Sequence, residues 1–134
     1  MGRARATTST PGVTLDTGAL IALDRGDRRM IALLDRALAQ RRNFRIPAGV
    51  VGQAWRDGAT QVALARFLRT SEVEIVPLNE QLSRSCGELC GAKRTSDVID
   101  ASVVILARER RDSIVTSDPE DMQRLDPKAL IVPI

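Results

Sequence analysis

Residues 13–23 read VTLDTGALIAL. Three residues of strand type, Val13 to Leu15, are stopped by Asp16 and the turn-forming pair Thr17-Gly18, and a helical apolar run from Ala19 to Leu23 follows at once. A short apolar strand leading through an Asp into a helix is the building unit of an α/β domain. Working outward, the same unit recurs. Strands are predicted over Val13–Leu15, Phe44–Ile46, Val73–Val76, Ser113–Thr116 and Leu130–Val132. Helical spacing of Ala, Leu, Val and Ile falls over Ala19–Leu23, Arg28–Ala39, Val50–Trp55, Thr60–Leu68, Glu80–Leu89 and Val98–Arg110, with Pro119 opening a further short helix. The alternation predicts a three-layer α/β/α domain whose sheet is mostly parallel and has about five short strands. It spans residues 13–134; residues 1–12, MGRARATTSTPG, read as a flexible basic leader without the apolar core of a signal peptide.

One helix decides what lies at the centre. From Val98 to Ala107 the sequence is apolar nearly all round, which is the pattern of a buried helix. Asp100 interrupts its first turns, and a carboxylate in apolar surroundings is costly unless a cation or donors compensate it. Thr95 or Ser96 can cap this helix, and Asp97 in its first turn complements the helix dipole. Capping explains Asp97 better than it explains Asp100.

Composition removes most other chemistry. The 134 residues contain no His, so histidine bases, Ser-His-Asp and Cys-His nucleophiles and imidazole zinc sites are excluded. No Tyr, two Phe and one Trp leave no aromatic platform for stacking single-stranded bases. No apolar run approaches the roughly 18 residues of a membrane span. Cys86 and Cys90, four apart in a helical stretch, read as buried core thiols, and a reducing, cytoplasmic setting is expected. Eighteen of the twenty cations are Arg, whose planar fork suits phosphate oxygens, although Arg enrichment also follows from base composition. The run Arg41, Arg42 and Arg45 is the candidate phosphate contact; a solvated helix end is the simpler meaning of such a run.

In parallel α/β sheets the functional crevice lies beyond the C-terminal strand ends. Asp16 stands there after the first strand and Asp118 after SIVTS of the fourth. A single Asp at a strand end caps the next helix; a pair of them with Asp100 points to a shared site. Three carboxylates gathered within about 4 Å repel by roughly 4 kcal/mol per pair at an effective dielectric near 20. Such a site calls for a cation, and oxygen-only ligands favour Mg²⁺ or Mn²⁺. A divalent ion in an acidic pocket activates water and holds phosphodiester oxygens, the chemistry of metal-dependent nucleases. Thr17, Thr116 and Ser117 are placed to position a ligand or water, or serve as ordinary turn and cap hydroxyls.

Four segments together resemble a known family: LDTGALIAL at residues 15–23, PAGVVGQAWRDG at 47–58, DVIDASVVILA at 97–107 and IVTSDPEDM at 114–122. In order and spacing they are similar to PIN domains, and within these to the VapC-type toxins of bacterial toxin–antitoxin pairs. The resemblance covers Val13 to the end. It implies an α/β/α fold, Mg²⁺- or Mn²⁺-dependent endoribonuclease activity on RNA, a homodimer, and a VapB-type antitoxin as partner. It matches Asp16, Asp100 and Asp118 to the metal-site acids, and Asp97 and Asp121 to accessory acids. One position departs from the pattern. The family's second acid, usually Glu, falls on Gln53, whose amide brings no charge. Asp57 is a nearby substitute on the following turn. Trp55 fits core packing, and Arg56 is a candidate contact to RNA or to an acid of the site.

Other readings fit less of the chain. LDTGA also matches the signature of retroviral-type aspartic proteases, yet those are nearly all strand and glycine-rich, unlike the helical patterns here. A receiver domain needs adjacent acids after the first strand, where Asp16 stands alone. A PIN-fold RNA- or partner-binding module that has lost cleavage through Gln53 is the alternative of a different class.

Overall fold

The computed structural model describes residues 11–134. The strands are β1 (Val13–Leu15), β2 (Phe44–Pro47), β3 (Val73–Val76), β4 (Ser113–Thr116) and β5 (Leu130–Pro133). The helices are α1 (Thr17–Asp24), α2 (Arg28–Ala39), α3 (Ala48–Ala54), α4 (Val62–Leu68), α5 (Glu80–Lys93), α6 (Val98–Arg110) and α7 (Pro119–Leu125). All five strands are parallel in the order β3-β2-β1-β4-β5. Right-handed crossovers then put α1–α4 on one face and α5–α7 on the other, giving the α/β/α architecture that the apolar alternation anticipates. Among the described residues no helix is long and apolar enough to cross a membrane.

Local chemistry sets the element ends. Asp16, Asp27, Asn79 and Asp97 each accept the backbone N–H three residues on, capping α1, α2, α5 and α6. Pro47 ends β2 and is followed directly by α3, two residues before the expected start at Val50. The chain from Asp57 to Gln61 is a turn rather than helix: the Asp57 carboxylate accepts from the Ala59 N–H at 2.9 Å, so α4 starts at Val62 and not at Thr60. Asp57 thus lies in the turn after α3 and not on a further helical turn. α5 runs four residues past Leu89 and stops at Arg94, which takes the left-handed conformation. Residues 101–107 of α6 are all buried, as a centrally packed helix requires.

Two side-chain sets alternate across the sheet. Val13, Leu15, Phe44, Ile46 and Val115 are wholly apolar and buried, and Phe44 meets Phe67 of α4 edge to face with centroids 5.3 Å apart. The register aligns Thr14, Arg45, Glu74 and Ile114 in one row across β1, β2, β3 and β4. Arg45 is the bulkiest fully buried side chain among the described residues, 1% exposed. Its Nη1 donates to Asp112 Oδ1 at 2.9 Å, and Asp112, 3% exposed, also accepts from the Gly12 N–H at 2.7 Å and the Thr14 hydroxyl at 2.8 Å. Glu74 lies 3.8 Å from Arg45 Nε and takes two bonds of 3.1 Å from Arg110 of α6.

Arg45 is therefore a correction to the sequence reading. It is committed to the interior and not to phosphate. Strand alternation turns it away from solvent, a placement that a run of basic residues does not reveal. Gly12 is drawn in as well: it is buried, and a Cβ there would collide with Arg45 and approach the Asn43 carbonyl at 2.5 Å. The first ten residues of the expected leader lie outside the described residues.

Breaking a buried ion pair strands the remaining charge, so Asp112→Ala should lose about 3–5 kcal/mol of stability in urea unfolding, whereas exposed Glu80→Ala, removing a surface pair with Arg84, should lose less than about 1 kcal/mol. Equal losses for the two variants would contradict the structural role given to Asp112.

Candidate metal-binding and active site

Strand order reverses between β1 and β4, and at such a switch point the C-terminal strand ends diverge to leave a crevice. Asp16 follows β1 directly and is buried, 3% exposed. Its Oδ1 accepts the Ala19 N–H at 2.9 Å, so it caps α1 and faces the crevice from the same position. Thr116, the buried last residue of β4, links two acids: its hydroxyl accepts the Asp118 N–H at 2.8 Å and hydrogen-bonds the Asp16 carboxylate. Burial raises the Asp16 carboxyl above the ordinary value, opposed by the Thr116, Ala19 and Gly18 bonds and reinforced by the charge of Asp118.

α6 brings the second pair. Asp97 caps it, its Oδ1 accepting the Asp100 N–H at 2.9 Å, while the Thr95 hydroxyl accepts the Asp97 N–H at 3.3 Å. The cap is thus Asp97 itself and neither Thr95 nor Ser96. Asp100 is half-buried on the first turn, and its carboxyl is pushed up to about 7. Burial is the largest cause; next come the charge and hydrogen bond of Asp97, then the charges of Asp16 and Asp121. Burial also raises the Cys90 thiol, with Asp97 and Asp100 adding to it, so this core cysteine lies behind the acids. Cys86 and Cys90 are both free and buried.

Five carboxylates, Asp16, Asp97, Asp100, Asp118 and Asp121, therefore share one patch of field at the switch point. None of them is ion-paired among the described residues. No three acid or cysteine side chains among the described residues already enclose a metal position. Asp16 and Asp97 are turned to helix N–H groups. Asp118 occupies the cap position of α7 but makes no side-chain cap bond, and its carboxylate accepts no hydrogen bond among the described residues. The donor set is oxygen-only, negative and uncompensated, which suits a hard divalent cation.

The other sequence-selected residues divide. Thr17 opens α1 and donates to Gln53 Oε1 of α3 at 2.5 Å, so Gln53 stands at the margin of the site, held by a residue adjoining Asp16. Ser117 is exposed, and a Cβ on Gly18 would run into its hydroxyl; only glycine lets α1 approach this close. Arg56 pairs with no acid among the described residues: its Nη1 folds back onto the Gly52 and Trp55 carbonyls at 3.1 and 2.6 Å, closing the end of α3. Trp55 is part-exposed and lies over Gly58, so it is less a core residue than its sequence suggests. Arg41 and Arg42 precede β2, at the opposite end of the sheet from the acids. Arg42 reaches the Gly12 carbonyl at 3.4 Å, and Arg41 closes α2 in the left-handed region at φ 59°.

A raised carboxyl means that between about pH 4 and pH 7 the folded chain keeps a proton that the unfolded chain has released. Stability from this group is full at the acid end and falls as pH rises through that window. Metal-free wild type should lose stability from pH 5 to pH 8 relative to Asp100→Asn, whose profile should be flatter, in paired urea titrations at each pH. Parallel profiles would remove the burial and repulsion assigned to Asp100.

Comparison with known proteins finds no matching protein-family model and no matching curated protein. Solved structures do match. VapBC2 from Rickettsia felis, bound to a DNA fragment from its promoter, aligns with a TM-score of 0.66 at 19% identity over 91% of this chain and 98% of that one. VapC20 from Mycobacterium tuberculosis, a sarcin-ricin loop cleaving toxin, aligns at 0.59 and 18% identity over 80% and 92%. FitAcB from Neisseria gonorrhoeae aligns at 0.61 and 16% identity over 89% and 95%. At identities this low the shared property is the fold: the chain has the fold of these solved structures.

Proposed function

We propose that this chain is the toxin of a type II toxin–antitoxin pair, a divalent-metal-dependent endoribonuclease that hydrolyses RNA phosphodiester bonds. The observation that carries the reading is the gathering of five acids at the switch point, none of them ion-paired among the described residues. The fold supports it, as does the description of VapC20 as a cleaving toxin. VapBC2 as a two-component assembly on promoter DNA supports a VapB-type antitoxin partner, and a homodimer belongs to the same reading.

Asp16, Asp100 and Asp118 are the residues to hold Mg²⁺ or Mn²⁺. Asp16 gives a fixed floor, locked by Thr116 and the Ala19 N–H. Asp100 and Asp118 supply charge from α6 and from the loop after β4. When bound, the ion would neutralise the acids, lower the pKa of a water and polarise the phosphodiester. Asp97 hydrogen-bonds Asp100 at the start of α6 and adds negative charge beside it. Asp121 adds negative field from α7, and the Thr17–Gln53 bond holds the margin where an acid would add charge.

Cleavage of a mixed RNA pool across Mn²⁺ and Mg²⁺ titrations, with Asp100→Asn purified in parallel, tests this. Wild type should cut only with metal. Loss of a ligand should cost more than the 10–100-fold typical of residues that merely support one, so Asp100→Asn should fall by about 100-fold or more. Equal activity in both proteins would assign cutting to a contaminant and overturn the reading. Gln53 favours a second possibility, a binding module without cleavage; metal binding without cutting, and cutting gained in Gln53→Glu, would support it.

A further inference from the structure

Beside the acids, a cavity of about 510 Å³ opens between α1 and the C-terminal ends of β4 and β5. One wall is a single helical stripe, Gly18, Ile21, Ala22 and Arg25, spaced as residues on one face of α1 are. The other wall is Ser117 and Ile134, with Asp27 at the far end. A Cβ on Gly18 would stand 3.6 Å from Asp16 Oδ1, so this end of the cavity lies beside the acid patch. From Gly18 to Arg25 the helix advances about 10 Å at 1.5 Å per residue, which sets Arg25 about that far along α1 from the acid end of the cavity.

Arg25 is the arginine that lines this cavity, and it is exposed. An arginine at a helix C-terminus commonly bonds the last carbonyls, as Arg56 does on α3. The Arg25 side chain makes no hydrogen bond or ion pair among the described residues, although Asp27 lines the same cavity. The Asp27 carboxylate is occupied in capping α2, accepting the Met30 N–H at 2.9 Å. An exposed guanidinium at the end of an apolar wall, with a hydroxyl opposite, offers three complementary surfaces: a phosphate contact, a flat apolar seat and a donor for a sugar or base edge.

We propose that this cavity is a ribonucleotide subsite, seating the nucleotide next to the cleaved linkage, with its base against Ile21 and Ala22, Ser117 at its polar edge and Arg25 on its phosphate. The proposal rests on the nuclease reading and deepens it. RNA recognition of this kind works by splaying single-stranded bases into pockets and by contacting the 2′-hydroxyl. The guanidinium, at the outer end, holds the chain where the acids themselves repel it.

Two readouts test it. With wild-type protein, steady-state cleavage of an RNA hexamer should show a KM raised about tenfold in Arg25→Ala and kcat within twofold, since a phosphate contact beyond the reacting bond binds ground and transition states alike. Separately, in an Asp100→Asn background, anisotropy of the same labelled hexamer across a salt series should give a slope of log affinity against log salt shallower by about 0.7 when Arg25→Ala is added. Arg25→Lys should restore the slope but only part of the affinity, because it keeps charge and loses the fork. Ala22→Leu, which fills the seat, should raise KM and leave the slope unchanged; melting curves confirm that each variant is folded. Metal- and Asp100-dependent cleavage with an Arg25→Ala variant identical to wild type in KM and slope overturns the subsite alone. An Arg25-dependent slope in a protein that never cleaves RNA overturns the nuclease reading and leaves the cavity as an RNA seat.

Discussion

The buried bond between Arg45 and Asp112 governs the geometry of this domain. A guanidinium withdrawn from water in the second strand of a parallel sheet is tolerable only if its charge is met where it lies. Asp112 meets it and takes two further donors, the Gly12 N–H and the Thr14 hydroxyl. These bonds join the approach to β1, the body of β2 and the start of β4 at one end of the sheet. The strands are three or four residues long, about 10–13 Å at 3.3 Å per residue. With so little length, fixing where β1 and β4 begin also fixes where Asp16 and Thr116 emerge.

The two ends of the sheet treat charge in opposite ways. At the N-terminal end Arg45, Asp112, Glu74 and Arg110 form a compensated chain. At the C-terminal end acids accumulate without an ion pair among the described residues, and the burial of Asp16 and Asp100 makes their charged forms costly. Two of these acids also cap helices, so the site uses residues that the fold needs anyway. Asp16 starts α1 and Asp97 starts α6 whether or not any ligand is present. The same double use explains why each Asp, taken singly, reads as an ordinary cap, and why only their convergence points to chemistry.

Arginine is dispersed by the fold rather than gathered into one basic stripe. Arg45 is interior, Arg56 closes a helix, Arg42 reaches a backbone carbonyl and Arg110 holds Glu74. Arg25 differs because it lies on the helix stripe that leads from the acids and has no protein partner among the described residues. Composition pointed to phosphate binding, but the residues that looked best for it, a run beside β2, stand at the wrong end of the sheet.

Local pattern carries the alternation of strands and helices, the buried character of α6 and the position of Asp16, Asp100 and Asp118 at the ends of their elements, although it offered Thr95 or Ser96 where Asp97 caps α6. These features are written in local periodicity and in residues that act on backbone groups two to four positions away. Tertiary structure decided which strands are neighbours, and with that the inward turn of Arg45 and its pairing with Asp112, 67 residues distant. It also decided that Thr116 bridges Asp16 and Asp118, that Gln53 meets Thr17, and that Arg25 borders a cavity. Those outcomes depend on side chains far apart in the chain meeting across a sheet whose order reverses at β1, and no local pattern encodes which partner a buried charge will find.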